Sequence, residues 1–64
     1  MTVKEYYEIT NGIDEYNVYK GSRLIKRFYG GVNSGDSIND EIIDECFIRA
    51  EDDGSWVVCN IYII

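Results

Sequence analysis

Apolar and polar positions alternate with a period of two along most of the chain. The alternating runs are rich in β-branched and aromatic residues, the pattern of half-buried strands. Val3 to Thr10 puts Val3, Glu5, Tyr7 and Ile9 on one face, and Glu15 to Lys20 puts Tyr16, Val18 and Lys20 together. Between them, Asn11-Gly12 has the chemistry of a two-residue type I′ turn. That turn would set Glu8 against Glu15, and like charges directly opposite are unfavourable. A four-residue loop, Asn11 to Asp14, instead sets Ile9 against Tyr16, Tyr7 against Val18 and Glu5 against Lys20. Lys20-Gly21-Ser22-Arg23 is the next turn, followed by a third strand from Leu24 to Tyr29. That strand is apolar on both faces, which places it at a sheet centre or beneath a partner.

The period then changes. Gly30 to Gly35 reads as a tether, and from Ser37 the apolar positions Ile38 and Ile42, then Ile43 and Phe47, lie four apart as on a helix. Ser37 and Asp40 approximate a capping box, so a helix of two to three turns is expected here. Its outer side carries Asp40, Glu41, Asp44 and Glu45, two like-charged pairs at four-residue spacing that each cost about 0.2–0.5 kcal/mol. Around Asp53-Gly54 a type I′ hairpin pairs Ala50 with Val57, Ile48 with Cys59 and Cys46 with Ile61, its inner face continuing to Ile63. Its other face holds Glu51, Arg49, Phe47, Trp56, Val58, Asn60 and Tyr62. In this register Cys46 and Cys59 are diagonal neighbours roughly 7–8 Å apart, beyond the usual disulfide separation, and are expected to be reduced core thiols.

The predicted order is β-β-β-α-β-β in a single domain spanning residues 1–64. The fold class is α+β: an antiparallel sheet of about five strands with one short helix. A small OB-like barrel shares that element order and is the alternative. The last strand, "WVVCNIYII", is apolar on both faces and uncharged, so it must sit centrally or pair with another subunit. With a chain this short, that raises the possibility of a homodimer.

Composition narrows the function. The chain is 45% apolar and 14% aromatic, too rich for a disordered tail. It has no run long enough for a membrane span, and "MTVKEYYEIT" lacks the basic and apolar regions of a signal peptide, so a cytoplasmic location is expected. There is no histidine, which removes the ordinary Ser-His and Cys-His nucleophile pairs; a non-enzymatic protein is expected. Nor is a cofactor or metal expected. Gly30, Gly31 and Gly35 lack both dinucleotide-binding spacing and the lysine of a phosphate loop, and "DSINDEIIDE" lacks the alternation and glycine of a calcium loop.

Charge is divided along the chain. Residues 1–29 carry five basic and four acidic side chains, residues 30–64 one and eight, so the net charge of −6 arises entirely in the second half. Asp40, Glu41, Asp44 and Glu45 on the helix, with Glu51, Asp52 and Asp53 at the hairpin turn, form a candidate anionic face. Trp56 and Tyr62 are its candidate aromatic anchors. The expected function is a protein-binding module that meets a basic surface. In its sharpest form it is an inhibitor occupying a nucleic-acid-binding groove, since short, acidic, single-domain chains without catalytic groups are common among small virus-encoded inhibitors. The alternative is a single-stranded nucleic-acid binder using the basic, aromatic segment 16–29, with Lys20, Arg23, Lys26, Arg27 and Tyr29 contacting phosphates and bases. The acidic pI near 4.3 weighs against it. A third reading is a small oligomeric assembly or accessory subunit.

Overall fold

The computed structural model describes residues 1–30 and 36–64. Helix α1 (Val3–Ile9) leads to strands β1 (Glu15–Lys20) and β2 (Arg23–Tyr29), and then, after a 3₁₀ turn at Asp36–Ile38, to β3 (Ile43–Glu51) and β4 (Trp56–Ile63). The strands form one sheet in the order β2-β1-β4-β3. Each hairpin is antiparallel, but the two central strands, β1 and β4, run parallel. The sheet is therefore mixed, has four strands rather than five, and does not close into a barrel.

The segment expected as a first strand is the helix. Thr2 and Glu5 form a reciprocal capping box: the Thr2 N–H donates to Glu5 Oε1 at 2.8 Å, and the Glu5 N–H donates to Thr2 Oγ1 at 3.2 Å. At the other end Thr10 Oγ1 lies 3.1 Å from the Tyr6 carbonyl and 3.3 Å from that of Tyr7, and the chain leaves in an extended conformation. A seven-residue helix is marginal alone, and packing holds it. Val3 is buried, and Tyr6 and Tyr7 lie against the core. The core fills the space between α1 and one sheet face, from Tyr16, Val18, Phe28, Cys59, Ile61 and Ile63, with Ile13 and Ile38 at its margins.

The expected helix after Ser37 is absent. Only Asp36–Ile38 makes a 3₁₀ turn, and the chain then runs extended beside the N-terminus. The Val3 N–H donates to the Glu41 carbonyl, the Ile43 N–H donates to the Met1 carbonyl, and Thr2 bridges Ile42. A helix weakened by two repelling acid pairs and by acids at its unfavourable end loses here to strand pairing, which carries Ile43 and Glu45 onto β4 with Asp44 as a bulge. Residues 31–35, most of the expected tether, lie outside the described residues.

The second hairpin keeps the register anticipated for it, the first keeps only its expected turn, and the pairing of Ile9, Tyr7 and Glu5 with β1 is lost because those residues are helical. Lys20 pairs with Arg23 across Gly21-Ser22, whose glycine has φ 62°. In the second hairpin Ala50, Ile48 and Cys46 face Val57, Cys59 and Ile61. Asp53 (φ 57°, ψ 29°) and Gly54 (φ 91°) hold the positive dihedrals of a type I′ turn. Both cysteines are free. The two-faced C-terminal strand is central, flanked by β1 and β3. β2, also apolar on both sides, is instead an edge strand whose Leu24 and Ile25 remain exposed around a bulge.

Candidate protein-binding face

Helix α1 covers one sheet face, and the other stays open. Alternation along the paired strands assigns to it Glu15, Asn17 and Tyr19 of β1, Arg27 and Tyr29 of β2, Glu45, Phe47, Arg49 and Glu51 of β3, and Trp56, Val58, Asn60 and Tyr62 of β4. A polar seam crosses its middle. Asn17 is buried, and its amide donates to Glu15 Oε2 at 2.7 Å and to Asn60 Oδ1 at 3.2 Å, while its Oδ1 accepts from Arg27 Nε at 2.6 Å. The Trp56 indole donates to Glu15 Oε1 at 3.2 Å.

Aromatic groups stand on both sides of this seam. Tyr19 and Tyr62 stack with centroids 5.1 Å apart, and Phe47 meets Tyr62 edge-on at 6.0 Å. At the opposite end Tyr29 and Trp56 lie 6.5 Å apart. Phe47 is 57% exposed, unusual for a large apolar side chain beside other aromatics on one surface.

The two candidate anchors, Trp56 and Tyr62, are each paired across the ladder with an acid: Glu51 faces Trp56, and Glu45 faces Tyr62. The remaining acids are exposed around them. Asp40 and Glu41 lead into β3, Asp44 is its bulge, and Asp52 and Asp53 form the turn beyond it. The anionic array is thus not a helix stripe. It is two clusters at the ends of an edge strand, with Glu45 and Glu51 roughly 20 Å apart at strand spacing.

The basic residues divide between the two faces. Lys20, Arg23 and Lys26 fall on the helix side of the sheet by their pairing with Ile63, Lys20 and Val18, whereas Arg27 and Tyr29 lie on the open face. Both cations of the open face already have acidic neighbours: Arg27 Nε is 3.7 Å from Glu15, and Arg49 Nη2 is 3.2 Å from Glu51.

Elsewhere, a cleft of about 270 Å³ between the end of α1 and β1 is lined by Tyr7, Thr10, Tyr16 and Gly30, with Glu8 its one charged group. The Cys59 thiol donates to the Tyr6 hydroxyl at 3.6 Å, and burial pushes its pKa up, away from the thiolate that nucleophilic chemistry needs. Among the described residues no three carboxylates or thiols gather to hold a metal ion. No helix of the described residues is long and apolar enough to cross a membrane.

Glu15 is the electrostatic centre of the seam. The Asn17 amide, aided by Trp56 and Arg27, holds its carboxyl below the ordinary glutamate value, against a burial effect in the other direction. A lowered folded pKa gives stability that is fully present above the unfolded value and is lost as pH falls through the folded one. Glu15→Gln, which cannot accept both donors, is expected to cost about 1–2 kcal/mol at neutral pH. The gap from wild type should close on acidification, as followed by fluorescence of Trp56, the chain's one tryptophan. A gap independent of pH would refute the assignment.

No protein-family model, curated protein or solved structure matches this chain.

Proposed function

We propose that the chain is a non-enzymatic protein-binding module that works through the open sheet face. The pairing of each aromatic anchor with a carboxylate, half-buried Tyr62 with Glu45 and exposed Trp56 with Glu51, carries this reading. Aromatic side chains supply most of the binding energy at protein interfaces, and a charged rim supplies specificity and fast encounter. The complementary partner is a protein surface with apolar pockets and flanking lysines or arginines. A basic nucleic-acid-binding groove has that chemistry, and occupying it would make the chain an inhibitor.

The nucleic-acid alternative is less well supported. It needs cations beside the aromatics, and the two on this face already have acidic neighbours, Glu15 and Glu51.

The test is affinity capture from the source cells, followed by measured binding of the purified partner. Trp56→Ala with Tyr62→Ala is expected to weaken binding about 30-fold or more. Reversing Glu45 and Glu51 to lysine should slow association and flatten its salt dependence. A labelled single-stranded oligonucleotide should not bind at low salt. Unchanged partner affinity in the double alanine variant overturns the proposal. So does oligonucleotide binding that Arg27→Ala abolishes.

A further inference from the structure

The longest strand lies at an edge. β3 runs nine residues, and its outer side is covered only at its start, where Thr2 bridges Ile42 and Met1 accepts the Ile43 N–H. From Glu45 to Glu51 no other described strand pairs with that side. Edge strands are usually blunted by charged side chains, lysine above all, by proline or by a bulge. This stretch contains no lysine or proline, its bulge falls before it, at Asp44, and its charges, Glu45, Arg49 and Glu51, are of both signs and can pair across a second copy. Two large apolar residues also stand exposed mid-strand, Phe47 at 57% and Ile48 at 56%.

We propose that a second copy of this chain pairs with this edge, β3 against β3, antiparallel about a two-fold axis between the two Phe47 residues. The strand's own sequence favours that register. Two copies related by a two-fold perpendicular to the sheet keep their faces aligned, so the axis must lie midway between a residue and its own copy. Centred on Phe47, Glu45 of each copy faces Arg49 of the other on the open face, and Phe47 faces Phe47. On the helix side Cys46 faces Ile48. Opposite charges meet twice and both exposed apolar groups are covered. Centring on Cys46 sets Glu45 against Phe47 and leaves Arg49 facing Ile43. Centring on Ile48 sets Glu45 against Glu51, a like-charge pair.

The other edge fails the same comparison. On β2, two-folds centred on Ile25, Lys26 or Arg27 set Arg23 against Arg27, Lys26 against Lys26, or Arg27 against Arg27. Pairing through β3 is isologous and closes at a dimer, a continuous sheet of twice four strands. It also adds buried surface to a chain near the lower size limit for independent folding.

This inference does not depend on the partner-binding reading, because the purified chain alone tests it. Wild-type protein is expected to dimerise in sedimentation equilibrium. Glu45→Arg and Arg49→Glu each turn two attractive cross-strand pairs into repulsive ones, so each should raise the dimer dissociation constant about tenfold or more. The double exchange, Glu45→Arg with Arg49→Glu, should restore it, which loss of folding could not do. Both sites are exposed, and far-UV circular dichroism confirms that the variants are folded. A wild-type monomer up to the solubility limit overturns the proposal. Single variants that leave the dimer intact, or a double exchange no better than either single variant, overturn it as well.

Discussion

Gly30→Ala is expected to lower the unfolding free energy by about 2–4 kcal/mol, although the residue is exposed and lies just past the end of β2. A Cβ there would collide with the backbone carbonyl of Ile13. The obstacle is main chain, not a side chain that could swing away. The Gly30 N–H donates to the Asp14 carbonyl at 3.0 Å, and Asp14 in turn exchanges hydrogen bonds with Val57, through its own N–H at 2.9 Å and its carboxylate at 2.7 Å. Relieving the collision moves the loop that fastens β1 to β4. The cost combines about 1–3 kcal/mol of overpacking with about 1 kcal/mol for each hydrogen bond lost. A domain of this size has roughly 3–10 kcal/mol in all, so thermal unfolding should shift downward by about 10–25 °C. Gly21→Ala is the control. Gly21 has φ 62° and open space around its Cβ position, so it should lose only about 1–2 kcal/mol of left-handed strain. Equal melting shifts for the two variants would refute the clash.

That contact bears on how much the sequence disclosed. The stretch beginning at Gly30 reads as a tether, and nothing local reveals that its first glycine is needed by a carbonyl seventeen positions earlier. The turn at Gly21-Ser22 and the full register around Asp53-Gly54 are legible because both are set within a few residues, whereas the bulge at Ile25 in the first hairpin is not. Those turns also placed Trp56 and Tyr62 on the correct face. The helix was misread because Val3 to Thr10 satisfies two periods at once. Val3, Tyr6, Tyr7 and Thr10 follow helical spacing as well as Val3, Tyr7 and Ile9 follow a strand. The strand reading put Glu5 among the inward residues, and the Thr2-Glu5 capping box was the signal that separates them. The stretch after Ser37 was misread for the opposite reason, since its helical spacing is real but strand pairing overrides it. The parallel meeting of β1 and β4 has no local signature. The seam of Glu15, Asn17, Arg27 and Asn60 is assembled from three strands across that pair, so it could not be foreseen.

Tyr16→Ala is expected to be the most damaging single side-chain truncation in the core. Tyr16 is 2% exposed, and its ring stacks on Phe28 at 4.9 Å with the planes 9° apart, while Tyr7 lies tilted at 5.1 Å. These three rings join α1 to both strands of the first hairpin. Removing the middle one leaves a cavity that a helix held chiefly by packing cannot refill, at a cost of about 3–5 kcal/mol. That approaches the whole stability of a domain this small. The hydroxyl is a separate and smaller contribution. It lies 2.6 Å from Thr10 Oγ1, which keeps the Tyr6 and Tyr7 carbonyls as partners when the hydroxyl is gone. Tyr16→Phe should therefore cost only about 1 kcal/mol. Denaturant titration of the two variants separates ring packing from the hydroxyl bond. If Tyr16→Phe loses as much as Tyr16→Ala, the hydrogen bond to Thr10, and not the stacked rings, fastens the helix to the sheet.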